Sequence, residues 1–279
     1  MISLGLTFGN IIAPAEKKAK IISLIFSGFS IASVFGVPIG SWISTAVGWN
    51  YAFLAISILS IAVLACMIFI LPKVSSVNNG KETGQLQILK DRRIQIGVLL
   101  PMFGAGGIYV FYTYLRPILT DILHYNADMV SVLLFAYGFT TIISNLLSGF
   151  IAQKGGLKNM PVLFLIQAVI LFSLSLFLQN KTSGTVMIMV LGVTMYLLNS
   201  PIQMHFLTVA EEYPGSMVLA SSFNSIFFNF GISLGSFIGS SIFDHAGLLS
   251  IGFGGGILSA ITVIFIVILN RINAVRCAS

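Results

Sequence analysis

The chain has 279 residues, of which 57% are apolar and only 8% charged, against about 25% charged in an ordinary soluble domain. So few charges cannot solvate a chain of this size, and the apolar runs are long and unbroken where a β-barrel would alternate, so they mark membrane-crossing helices. The formal net charge of +6 would suit nucleic acid, but the charges lie in short segments between apolar runs, where membrane orientation accounts for them and excludes a nucleic-acid partner.

In chain order, Met1–Ala13 is apolar but too short to cross, so it reads as the second half of a helix. It is not a secretory signal, because the lysines follow it and none precedes it. At 1.5 Å per residue a crossing needs about 20 residues. Eight stretches meet that standard or come near it: Ile21–Ile43, Tyr51–Leu71, Ile94–Leu115, Met129–Ala152, Pro161–Leu178, Thr185–Leu207, Met217–Phe243 and Leu248–Leu269. The longest polar segment, Lys73–Arg93, reads as a solvated linker. Cys66 lies in an apolar run and Cys277 in the polar tail, so no disulfide is expected.

Basic residues divide unevenly between alternate loops. One set holds Lys17, Lys18, Lys20, Lys73, Lys81, Lys90, Arg92, Arg93, Lys154, Lys158, Arg271 and Arg276; the other holds Arg116 and Lys181. Cytoplasmic loops carry the excess of Lys and Arg, so the first set and the C-terminus are expected inside a plasma (inner) membrane. The Glu211/Glu212 loop falls on the same side without a basic residue of its own, an exception to the pattern.

Two stretches repeat. Gly36-Val37-Pro38-Ile39-Gly40-Ser41-Trp42-Ile43 aligns with Gly231-Ile232-Ser233-Leu234-Gly235-Ser236-Phe237-Ile238, 195 positions later, and the second copy extends to Gly239. Glycine and proline weaken a helix in water by about 1 and 3 kcal/mol against alanine. In lipid, small residues four apart let two backbones approach. The repeat predicts two pseudo-equivalent halves that slide on glycine-lined faces.

These features resemble the major facilitator superfamily, in particular its drug:proton antiporter branch of sugar, purine and drug exporters. The resemblance rests on Gly36-x-Pro38-x-Gly40 with Gly48-Trp49, and covers nearly the whole chain. It implies twelve helices in two six-helix halves, with this chain starting inside the fourth helix. The fold expected is an all-α membrane protein with an incomplete first half, residues 1–72, a central cytoplasmic loop, 73–93, a complete six-helix bundle, 94–270, and a tail, 271–279. A second motif, Gly149-Phe150-Ile151-Ala152-Gln153-Lys154-Gly155-Gly156-Leu157-Lys158, is similar to the family's cytoplasmic loop signature, with Gln153 in place of its acid and Leu157 in place of an arginine. The alternative is a tight basic turn.

Family architecture would turn Tyr109, Tyr112 and Arg116 to a central cavity, since they share a helical face; for Arg116 and Tyr114 an aromatic belt at the membrane surface is the other reading. Tyrosine suits a multi-purpose site, with a broad apolar ring and one hydroxyl. Asn199 and Gln203 join the expected cavity because Ser200-Pro201 breaks the helix beside them and frees backbone groups. Asn145 and Gln167 read as hydrogen bonds between helices. His205 is either a solvated side chain or a relay. All eight acids lie at helix ends or in loops, so the proton carrier that the resemblance implies is not visible.

The function expected is export of a small organic solute (drug, sugar or purine-like) by alternating access, proton-coupled in the full-length form, with the lipid bilayer as surroundings. The alternative is a fragment that does not transport. No His-Glu-x-x-His occurs, and no span pairs two carboxylates, so an enzyme, a metal site or a cofactor is not expected.

Overall fold

The computed structural model describes residues 17–70 and 82–278. Every regular element among them is helical. Eight long helices follow one another: α1 (Lys18–Ala46), α2 (Trp49–Ile70), α3 (Arg92–Ile122), α4 (Ala127–Lys154), α5 (Met160–Phe177), α6 (Lys181–Ala210), α7 (Met217–Ala246) and α8 (Ile251–Ala278). All but α1 belong to the seven segments long and apolar enough to cross a membrane. Each expected span falls on one of the eight, with ends displaced by a few residues. The half-helix expected at Met1–Ala13 lies outside the described residues.

Helix starts follow from local chemistry. The Asn126 side chain accepts from the Met129 amide at 3.0 Å, and Asn180 from that of Thr182 at 2.9 Å. Each satisfies an amide that the first turn leaves open. Between α4 and α5 the chain turns at Gly155 and Gly156, and the latter's φ of 53° is the left-handed region where a side chain is strained. Two interruptions matter. α3 passes Tyr112 into a short turn and ends in a π-type turn, Ile118–Ile122, after Pro117. α6 loosens into turns at residues 195–198, ahead of Pro201.

Helices α3 to α8 form one bundle, and α3 is its centre. It packs along α7 on one side and α8 on another, while α8 also packs along α5. A Cβ at Gly231 would meet the Met102 carbonyl oxygen, one at Gly235 that of Gly106, and one at Gly239 that of Val110 at 2.9 Å. The numbers climb by four on both helices, so α3 and α7 run in the same direction with touching backbones. Gly107 meets the Gly255 carbonyl of α8 in the same way, at 3.0 Å. Dispersion between closely fitted surfaces is what holds helices together where lipid gives no hydrophobic drive.

The first two helices stand apart. α2 packs on α1, and nearly all its side chains are exposed. α1 crosses to the bundle along α4, with contacts on α6. Phe35 meets Phe135 edge to face, Ile22 packs with Leu207, and Lys18 Nζ lies 3.2 Å from Glu211 Oε1.

The expectation that both glycine runs lie between the two halves is corrected for the second run. Gly231, Gly235 and Gly239 are used inside the bundle, against α3. A Cβ added at Gly36 or Gly40 would meet no atom within 4 Å among the described residues, so their side of α1 has no neighbour there. The helix nevertheless continues through Pro38.

Substitution separates α7 from α1. Gly235→Ala should destabilise the bundle by about 1–3 kcal/mol, since the new methyl meets backbone that cannot yield. Gly28→Ala meets nothing within 4 Å and should be neutral or stabilising by up to about 1 kcal/mol. Unfolding of the purified variants in detergent micelles measures both.

Candidate functional site

The end of α3 that carries Arg116 holds a cavity of about 320 Å³, lined by Tyr109, Tyr112, Thr113, Leu115, Arg116 and Leu134 from α3 and α4 and by Ile232 and Ser236 from α7. Three expected residues therefore share one space, because positions 109, 112 and 116 follow the helical repeat. Behind them stands an aromatic cluster. Tyr109 and Tyr112 meet edge to face with centroids 5.3 Å apart, and Tyr112 stacks on Tyr137 at 5.6 Å. Phe228 lies 6.0 Å from both Tyr109 and Tyr196. Tyr137 donates its hydroxyl to Met195 Sδ at 3.6 Å. The hydroxyls of Thr113 and Ser236, 3.0 Å apart, tie α3 to α7 beside the cavity.

The other two expected residues lie elsewhere. Asn199 and Gln203 are buried in the seam between α6, α4 and α7. Asn199 Nδ2 donates to Asn145 Oδ1 at 3.3 Å; Asn224 Nδ2 donates to the Asn199 carbonyl and Gln203 Nε2 to that of Ser221, both at 3.5 Å. These amides join helices, and neither Asn199 nor Gln203 lines the cavity of Tyr109. The break before Pro201 is present, but α4 catches its freed amides: Tyr196 N donates to Ser144 Oγ and Ser200 N to Ser148 Oγ, each at 2.8 Å. Gln167 Nε2 donates to Ser259 Oγ at 3.0 Å, an interhelical bond of the expected kind.

The loop motif stays at the opposite end. Gly149 is buried in α4, Lys154 ends that helix with Nζ over the Phe150 ring, and Gly156 and Lys158 form the turn into α5. The Asn270 side chain donates to the Leu157 carbonyl at 2.9 Å, pinning this turn to α8. His205 lines two cavities at the same end, and its Nε2 is enclosed without a hydrogen-bond partner.

Sequence reading missed a charge cluster at that end. Asp91 caps α3, accepting from the Arg93 amide at 2.8 Å and from Arg93 Nη2 at 2.6 Å. Arg93 also forks onto both oxygens of Glu212 at 2.7 Å. Arg276 reaches Asp91 at 3.3 Å and Glu212 at 2.8 Å, and the Tyr213 hydroxyl donates to Asp91 at 2.9 Å. The cluster therefore ties the start of α3 to the ends of α6 and α8. Burial by itself would raise the Asp91 carboxyl, but the hydrogen bonds from Arg93 and Tyr213 outweigh it and bring it down to about 2. The Arg93 hydrogen bond likewise lowers Glu212. The basic partners missing from the Glu211/Glu212 loop are thus supplied by other segments: Lys18 for Glu211, Arg93 and Arg276 for Glu212.

The fold defines a multi-pass helical membrane protein. The profile of the Major Facilitator Superfamily matches residues 5–219, and the chain belongs to that family, whose members are transporters and not enzymes. It is 30% identical over 261 residues to the uncharacterized MFS-type transporter YtbD of Bacillus subtilis, covering 92% of this chain and 65% of that protein. It is 27% identical over 264 residues to a probable sugar efflux transporter of Mannheimia succiniciproducens, covering 92% of this chain and 64% of the relative. The chain thus spans just under two thirds of the length of these relatives. Its fold is similar to that of the MFS transporter FucP in the outward conformation, with a TM-score of 0.70 and 14% identity over 96% of this chain and 72% of FucP.

Asp91→Asn removes the charge that Arg93, Arg276 and Tyr213 share but leaves Arg93 paired with Glu212, so it should cost about 1–3 kcal/mol at pH 7. A carboxyl depressed in the fold stabilises it above the unfolded value near 4, and that stability is lost as pH falls towards about 2. Unfolding followed between pH 7 and pH 3 should show a shallower decline for Asp91→Asn than for the unaltered protein.

Proposed function

We propose that this chain works in a secondary active transporter that exports a small organic solute by alternating access, driven by the proton gradient. The basic end faces the cytoplasm of a plasma (inner) membrane. One observation carries the reading: the Tyr109–Tyr112–Arg116 cavity opens at one end of the molecule, while the Lys18–Glu211 ion pair ties α1 to the bundle at the other. A solute site open at one end and a breakable tie across the other are what a rocking transporter needs.

Membership of the superfamily supports transport, and the relative named as a probable sugar efflux transporter supports its outward direction. Proton coupling follows from the resemblance to the antiporter branch. The loop of Gly149, Lys154, Gly156 and Lys158 holds α4 against α5 at the cytoplasmic end. The buried amides Asn199 and Gln203 contribute to the path of the solute on the cytoplasmic side of the tyrosines, where Gln203 Oε1 and Asn224 Oδ1 have no hydrogen-bond partner.

Efflux of a radiolabelled thiogalactoside and of a radiolabelled aromatic carboxylate from an exporter-deficient strain tests this reading. Expression should lower retention of at least one probe, and a protonophore should abolish the difference. Tyr112→Ala should weaken apparent affinity about tenfold, the effect of losing one aromatic contact. Retention equal to that of the empty vector for both probes would refute export of those solute classes.

A further inference from the structure

Resting on that reading of the cavity, we propose that the site selects organic anions: a carboxylate carried on an apolar, ring-sized body. The cavity's walls suit such a molecule. Leu115, Leu134 and Ile232 offer apolar surface, and Tyr109 and Tyr112 add aromatic rings. A space of about 320 Å³ lies at the small end of the range for ligand sites, which favours one compact ring system over a long chain.

Charge decides the class. Among the described residues, Arg116 is the single formally charged one lining this cavity. It lies on the exposed side of its turn, and no ion pair to it occurs among the described residues. The nearest acid along the chain, Asp121, accepts instead from the Thr120 hydroxyl at 2.6 Å. A guanidinium beside an apolar wall is suited to a planar anion, because its parallel N–H groups match the two oxygens of a carboxylate.

The aromatic rings could argue the other way, since a π face attracts cations. Here the rings pack on one another: Tyr112 is stacked on Tyr137, and Tyr109 meets both Tyr112 and Phe228 edge to face. A cationic solute would find no carboxylate among the described residues of this cavity to offset the guanidinium.

Three probes of one shape separate charge from size: 2-naphthoate, 2-naphthamide and 2-naphthylmethylammonium. Calorimetric titration into the purified protein in lipid nanodiscs at low salt should rank them in that order. The carboxylate should bind about tenfold or more tightly than the ammonium. Arg116→Gln should bring the carboxylate to the level of the amide, and Arg116→Lys should retain part of the preference. The proposal is overturned if the ammonium binds as tightly as the carboxylate, or if Arg116→Gln leaves carboxylate affinity unchanged while binding itself persists. Failure of all three to bind the unaltered protein would overturn it together with the cavity. Binding of naphthoate with the stated preference, but without efflux from cells, would count against the transport reading alone and leave the anion site standing.

Discussion

At α3 the backbones of neighbouring helices come into contact, and the remaining architecture is set around that approach. One side of the helix receives Gly231 and Gly235 of α7 on the Met102 and Gly106 carbonyls, and Gly107 meets Gly255 of α8. Lipid tails are as apolar as leucine, so burying a large side chain between membrane helices gains little over leaving it in lipid. Fit becomes the main source of attraction, and glycine gives the closest fit. Because α7 is fixed to α3 along three successive turns, Ile232 and Ser236 sit against Tyr109 and Tyr112 and complete the cavity wall.

The second constraint is that backbone polar groups in a membrane must find partners within the protein. Proline in α6 creates the sharpest demand, and α4 meets it. Ser144 and Ser148, four apart on one face of α4, each accept an amide from the loosened stretch of α6. Tyr137, Thr141, Ser144, Asn145 and Ser148 are all buried and lie on that face. The irregular segment that positions Tyr196 in the aromatic cluster is therefore held by a ladder of small hydroxyls.

Some of this was readable from the residues alone. The spans were, because their signal is local: enough consecutive apolar residues to cross, bounded by lysine, arginine or turn residues. The Tyr109–Tyr112–Arg116 face was readable too, since one helix carries all three. Its partners were harder to find. Tyr137 and Phe228 come from other helices, and only the polar stripe of α4, spaced at the helical period, signalled that this helix turns a face inward. Asn199 and Gln203 were assigned to a cavity from the neighbouring proline, without knowledge that serines across the seam would absorb the broken backbone. The glycine repeat showed close packing but could not reveal which neighbour each run would meet. Arg93 and Glu212 lie 119 positions apart, and their pairing depends on which helix ends converge, which loop-by-loop charge counting does not capture.

The neighbouring acids Glu211 and Glu212 divide their work, and this has a mechanical consequence. Glu212 is locked by two arginines into the knot that gathers the ends of α3, α6 and α8, whereas Glu211 holds α1 through one lysine at the surface. The tether to α1 is thus moored one residue from the arginine cluster at that end of the bundle. A pull from α1 on Glu211 is delivered to three helices together, so the load is shared by the whole assembly and the weak outer bond parts before the inner one yields.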